Sequence, residues 1–424
     1  MEFKNIGAIH NYPPYMKSIN PINIFQKVPS AIFINFPFCK KICAFCAFNL
    51  DFNIYTEEME ERYVKALIKN MHLLNESGAF ESVDIKSIYF GGGTPNLLSD
   101  ESLTSIIDTL NLYINLSAAE QVCMEATTVS INKKRVELLR SLGFNRISMG
   151  LQSTDDYYLK MLKVQGNYSD FLTAYNTCMD NGINNVNVDM MYRLPGQEVY
   201  HWEKSLSEVI SLGVPHISVY SLLLNKENIL YNQVRNGIYP EQQSEYEEVK
   251  YKEVTNELLS DSLYLHNTID EFGLVGYENV YNKYSWTGET IGIGAGATSV
   301  SRNYVYDSVS AIDEYISMLD NSEIPIKHGL KMTPYNKMIR HMTLFPYYLN
   351  IDKTGFTSEF GYPISAFFEK ELYGLIQEGF IKELENQYYL TLKGEAYAPY
   401  VSRCFLDVEQ KEAHERMKFF FDYN

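Results

Sequence analysis

Three cysteines within eight residues, Cys39, Cys43 and Cys46, constrain this chain more than any other feature. They stand in Phe36-Pro37-Phe38-Cys39-Lys40-Lys41-Ile42-Cys43-Ala44-Phe45-Cys46, directly after a short apolar run. Spaced by three and then two residues, the thiolates can wrap one corner of a cubane cluster, with no local fourth ligand. A [4Fe–4S] cluster held by three thiolates keeps one iron open to an exogenous ligand. S-adenosylmethionine suits that iron, because its amino and carboxylate groups can chelate it. One electron can then break a C–S bond and release a 5′-deoxyadenosyl radical. A structural zinc site would want four closed ligands, and Cys123 and the scattered histidines are distant candidates. A disulfide framework does not suit six cysteines in 424 residues without a signal-peptide pattern.

A repeated strand–helix rhythm surrounds that loop. Ala31 to Phe36, Ser87 to Phe90, Val122 to Ala126, Arg146 to Gly150, Asn185 to Met190 and His216 to Leu222 read as apolar strands. Amphipathic segments alternate with them: Glu57 to Leu74, a helix N-capped by Asp100, Lys133 to Leu142, Asp156 to Leu162, Asp170 to Met179 and Trp202 to Leu212. The fold class expected is α/β, a partial (β/α)6 TIM-like barrel whose reactive groups sit at the C-terminal strand ends. The division expected is an extended arm over 1–30, the barrel over 31–225, an α/β extension over 226–330 and an accessory domain over 331–424. In the extension, 225–245 reads as loop and Tyr246 to Leu259 as helix. The accessory domain is α-rich. Its order of helix, helix and hairpin is winged-helix-like.

Composition excludes several roles. A net charge of −17 with no basic stripe argues against nucleic-acid binding. No apolar run is long enough to span a bilayer, so no membrane partner is expected. Unpaired thiols fit a reducing cytoplasm.

Polar groups recur at the strand ends. Gly91-Gly92-Gly93-Thr94-Pro95 follows the second strand, where glycines let the backbone approach a ligand closely. Beside an open iron its natural work is to hold the α-amino group of S-adenosylmethionine. Phe45 can lie against an adenine face or pack into the core. Glu125 ends the third strand, and Gln152 and Asp189 occupy equivalent places on later ones. Such groups can bind ribose hydroxyls or an amine.

Taken together these stretches resemble the oxygen-independent coproporphyrinogen III dehydrogenase family of the radical S-adenosylmethionine superfamily. The likeness covers roughly residues 31–300. It rests on Phe36 to Cys46, Tyr89 to Pro95, Phe144 to Ser153, Asp189 to Gln197 and Ile291 to Ser299. The resemblance implies that the three cysteines hold the cluster and that Gly92 and Gly93 contact S-adenosylmethionine. It implies that Glu125 and Gln152 seat the same molecule, and it matches Asp189 to a position associated with a second one. A family arginine that grips the cofactor carboxylate falls near Val164, where Lys163 is the nearby cation.

Departures from the family narrow the reaction. Where the porphyrinogen enzyme has a tyrosine and a histidine before the first cysteine, this chain has Phe33 and Asn35. The haem chaperones' His-Asn-x-x-Tyr-Trp appears as Tyr281 to Trp286, and the family's Gly-Leu-Pro as Arg193-Leu194-Pro195. Arg193 can meet an anionic substrate or form a salt bridge. The expectation is radical methyl or methylene transfer from a second S-adenosylmethionine to an unsaturated carbon of a small-molecule substrate. The electron would come from a reductant such as flavodoxin or ferredoxin. Coproporphyrinogen III dehydrogenation and haem chaperoning are the alternatives, and no catalytic acid or base is assigned.

Overall fold

The structure, a computed structural model, describes residues 12–13, 16–19, 30–46, 53–81, 83–226 and 228–417. Most of the arm expected over 1–30 lies outside the described residues. Six parallel strands form the centre: β1 (Ala31–Phe36), β2 (Ser87–Gly92), β3 (Gln121–Ala126), β4 (Arg146–Gln152), β5 (Asn185–Tyr192) and β6 (His216–Ser221). They pair in chain order, each parallel to the next. Strand alternation sorts their side chains. Ile32, Ile34 and Phe36 join the main hydrophobic cluster with Tyr63, Leu67 and Met71 of helix α1 (Glu57–Glu76). Phe33 and Asn35 take the opposite face, toward the barrel lumen.

The sheet continues past both expected edges. After β7 (Leu265–Thr268), β8 (Glu271–Gly273) pairs antiparallel with β6. On the other side β9 (Thr290–Ile293) adds a seventh parallel strand beside β1, and an antiparallel meander follows it. The Gly-rich run at Ile291 is therefore part strand and part turn.

Two local expectations are corrected. Ser99, not Asp100, caps helix α2 (Asp100–Asn111), its hydroxyl accepting from the Ser102 amide at 3.1 Å. Asp100 stands in the first turn and pairs with Lys134 and Arg135, as an acid near a helix N-terminus can. The stretch 225–245, expected as loop, contains a helix at Ile229–Arg235 whose Leu230 is fully buried. Tertiary packing of one leucine overrides a polar composition.

The C-terminal region has its own cluster, including Met342, Phe345, Leu372, Phe380, Val401 and Phe405. Helices there accompany a three-stranded sheet of Asn350–Asp352, Ile381–Leu384 and Gln387–Leu390. Tyr12 is buried against it, its hydroxyl donating to Asp407 at 2.7 Å. No helix among the described residues is long and apolar enough to cross a membrane.

Candidate cofactor site

β1 delivers the cysteine loop to the C-terminal end of the barrel, and the glycine loop after β2 is bonded to its entrance. Gly93 N–H donates to Phe36 O and Thr94 N–H to Phe38 O, each at 2.9 Å. A Cβ on Gly93 would meet the Phe38 backbone at 2.5–2.8 Å, so only glycine fits. Gly92 has φ +108°, and its N–H donates to Glu125 Oε2 at 3.0 Å. Thr94 Oγ1 lies 3.6 Å from Cys39 Sγ.

The far side of the loop is held from three other places. Ala44 N–H donates to Leu162 O, and Leu230 N–H donates to Ala44 O, both at 2.8 Å. The Asn228 amide donates to Phe45 O at 3.2 Å and to Cys46 O at 3.0 Å. Asn228 is fully buried and is itself fixed by reciprocal bonds with Asn225. Sequence reasoning missed this clamp because Asn228 lies 182 residues from Cys46. No local spacing announces it.

The three thiols are half-buried and form no disulfide. Burial pushes Cys43 up to about 12, and the neighbouring Cys46 and Cys39 add to the rise. Among the described residues no three His, Cys, Asp or Glu side chains already converge as a metal shell. Binding metal would deprotonate the thiols and draw them together. A cubane corner fits this loop: three thiols that sense one another, a backbone tied from all sides and a glycine wall beside them.

The adjoining lumen carries polar groups short of partners. Burial raises Glu125 to about 7; the Tyr89 hydroxyl and the Gly92 amide oppose the rise, and Asp189 adds to it. Asp189 is raised to about 6, again by burial, against a 2.7 Å bond from Asn187. Gln152 adopts φ +76°, and its buried Oε1 has no hydrogen-bond partner among the described residues. An orphaned acceptor of this kind costs about 1–3 kcal/mol, and a ligand hydroxyl would satisfy it. Lys163 caps the helix Asp156–Leu162 in a left-handed conformation, next to the Leu162 carbonyl that holds the cysteine loop. Phe45 packs half-buried against the cluster of Tyr158, Met161, Leu162 and Leu230.

Below this layer a polar chain forms the lumen floor. Arg146, 1% exposed, donates to Asn185 at 2.8 Å and lies 3.1 Å from His216 Nδ1. Asn187 joins His216, Ser148, Ser218 and Asp189 through bonds of 2.6–3.0 Å. Burial, then Arg146, holds His216 well below the usual imidazole range, so it is neutral. Cys123 also faces this floor, fully buried and pushed up to about 12. Arg193 is a buried ion pair with Glu248, so of its two readings the salt bridge stands, buried rather than at the surface.

One wall is aromatic. Phe33 lies 6.0 Å from Tyr89 and 5.9 Å from Tyr281, with Tyr89 and Tyr281 5.0 Å apart. Above them the Asn35 amide donates to Ala295 O at 2.5 Å. The alternation within β1 marks Phe33 and Asn35 as lumen residues.

Glu125 supports a direct prediction. Its raised value means the folded, ligand-free chain holds a proton that the unfolded chain has lost between about pH 4.5 and 7. Stability therefore falls as pH rises through that window. Glu125→Gln is expected to stabilise the ligand-free protein at pH 8 by up to about 3 kcal/mol, and to give little gain near pH 4.5. The same variant is expected to bind S-adenosylmethionine at least about tenfold more weakly, from the lost charge-assisted bond. Thermal melts at the two pH values and a binding titration check both.

Residues 34–209 match the Radical SAM superfamily. The haem chaperone HemW of Bacillus subtilis is 28% identical over 377 residues, spanning 88% of this chain and 98% of its own. The mitochondrial radical S-adenosyl methionine domain-containing protein 1 of Bos taurus is 29% identical over 269 residues, 63% of this chain and 60% of its own. The structure of coproporphyrinogen III oxidase HemN from Escherichia coli, itself described as a radical SAM enzyme, superposes with a TM-score of 0.76 at 19% identity. It covers 88% of this chain and 89% of that one. These likenesses do not support the expected methyl or methylene transfer; they favour the two alternatives. Residues 34–209 are a radical SAM domain, whose cofactors are a [4Fe–4S] cluster and S-adenosylmethionine, and over most of its length the chain is similar to coproporphyrinogen oxidase-like members of that superfamily.

Proposed function

We propose that this chain is a haem carrier of the radical SAM superfamily, which binds S-adenosylmethionine at its cysteine loop and does not decarboxylate porphyrinogens. The wall formed by Phe33 and Asn35 carries the reading. The resemblance described above puts a tyrosine and a histidine at these places in the porphyrinogen enzyme. Here Phe33 has no hydroxyl; it stacks on Tyr89 and packs at a tilt against Tyr281. The Asn35 amide is committed to the Ala295 carbonyl. Neither can move a proton at a substrate. The likeness to the Bacillus haem chaperone, which runs through 98% of that protein, supports the same side of the choice.

In this reading Cys39, Cys43 and Cys46 hold the cluster. Gly91, Gly92, Gly93 and Thr94 line the amine of S-adenosylmethionine. Glu125 accepts from that amine, Gln152 accepts from a ribose hydroxyl and Lys163 meets the carboxylate. When bound, the cluster supplies the electron that opens a C–S bond of S-adenosylmethionine. The protein's own part is to bind, orient and exclude water. One S-adenosylmethionine suffices, with Asp189 serving the polar floor. A cytoplasmic reductant of the flavodoxin or ferredoxin kind completes the system.

Hemin titrated into the purified protein is expected to bind at one equivalent with a shifted Soret band. Reconstituted protein given reductant, S-adenosylmethionine and coproporphyrinogen III is expected to form no protoporphyrinogen. Multiple turnovers to protoporphyrinogen would overturn the reading.

A further inference from the structure

The haem-chaperone motif does not present its histidine in this chain. At its first position stands Tyr281, packed at a tilt against both Phe33 and Tyr89. A tetrapyrrole therefore needs another seat.

At the opposite end of the barrel is a half-open cleft of about 390 Å³, between the approach to β9, the meander and helix Pro334–Leu344. That volume lies in the range of small-molecule sites. We propose that this cleft seats the tetrapyrrole, with Arg302, Lys337 and Arg340 meeting its carboxylates, His341 binding its iron, and Met332 and Phe360 against its ring. The inference rests on the haem-carrier reading above.

Three observations support it. The first is the concentration of cations in a chain of net charge −17. Arg340 is buried, and Lys337 donates to Asn303 at 2.9 Å from the same helix. Two carboxylates share the lining. Glu289 is half-buried, and Glu359 is exposed to solvent, beside His341. Glu289 Oε2 is buried without a hydrogen-bond partner among the described residues.

The second is His341. Its ring is held edge-on by Phe356 and Phe360, at 5.5 and 5.6 Å, with Glu359 3.8 Å from Nδ1. An imidazole so oriented, lining the cleft, is the commonest protein ligand for a metal.

The third is position. Gly288 and Glu289 lead into Thr290, which pairs with Ala31 at the start of β1. The cysteine loop follows Phe36 at the other end of that strand, about 17 Å away. Barrels of this kind do chemistry at the C-terminal face. A ring seated at the foot is carried, not transformed.

Hemin binding by the full chain tests the site. Arg302→Glu/Lys337→Glu is expected to weaken it at least about tenfold while S-adenosylmethionine cleavage and thermal midpoint stay unchanged. His341→Ala is expected to move the Soret band. Weakened binding with an unmoved band in His341→Ala keeps the cleft and overturns the histidine as ligand. Unchanged affinity and spectrum in every variant overturn the site and leave the carrier reading standing. Failure of the wild-type chain to bind hemin overturns the carrier reading itself.

Discussion

Cys43→Ala protein, reconstituted anaerobically with iron and sulfide, is expected to lose cluster absorbance and S-adenosylmethionine cleavage together. Cys43 is the middle of the three thiols and the one that senses both others. Even partners outside the coordination shell cost about 10–100-fold in metal affinity, so loss of a ligand should cost more than about 100-fold. The fold should survive, because the thiol is unpaired and the loop is tied through backbone groups of Ala44, Phe45 and Cys46. Cys178→Ala is the matched control: that residue is buried in a helix among apolar neighbours and should leave the cluster untouched. Circular dichroism, iron content and quantified 5′-deoxyadenosine distinguish these outcomes. A Cys43→Ala protein with full iron and full cleavage would refute the ligand assignment.

Arg193→Met is expected to lower stability by about 3–5 kcal/mol, because it leaves Glu248 buried and unpaired. The arginine is 3% exposed, and its guanidinium binds both Glu248 and Ser221. Around it the Gln242 amide donates to Arg193 O and Leu222 O, at 2.8 and 2.7 Å. The ion pair thus ties the segment after β6 to the ends of β5 and β6. Its φ of +57° is a left-handed conformation that favours glycine. Arg193→Gly should therefore recover about 1 kcal/mol of the loss, and Arg193→Met/Glu248→Leu most of it. Urea midpoints of the three variants provide the check. A loss below about 1 kcal/mol in Arg193→Met would show that the pair is not the clamp described.

The parts of this molecule that follow from short-range patterns were readable in the sequence. The six parallel strands stand where apolar runs alternate with amphipathic helices. The cysteine and glycine loops stand at the strand ends, as the rhythm requires. What could not be read depends on distant segments meeting. Asn228 reaches the cysteine loop from beyond β6, and the floor joins Arg146, Asn187 and His216 from three strands. β9 joins the sheet beside β1 after more than two hundred intervening residues, so its Gly-rich sequence reads locally as a turn. The expected methyl transfer, which the relatives do not support, rested on residues whose surroundings are set at long range. Phe33 and Asn35 were legible as departures, but their contacts with Tyr281 and Ala295 are long-range.

A cluster held by Cys39, Cys43 and Cys46 alone leaves one iron open for the amine and carboxylate of S-adenosylmethionine. Pulsed electron–nuclear resonance on the reduced cluster, with S-adenosylmethionine carrying 15N in its methionyl amine, tests this directly. The expected result is a 15N coupling that appears only when the labelled molecule is added and disappears with unlabelled competitor. A cluster that shows no such coupling, or a protein nitrogen bound to iron before any addition, would contradict it.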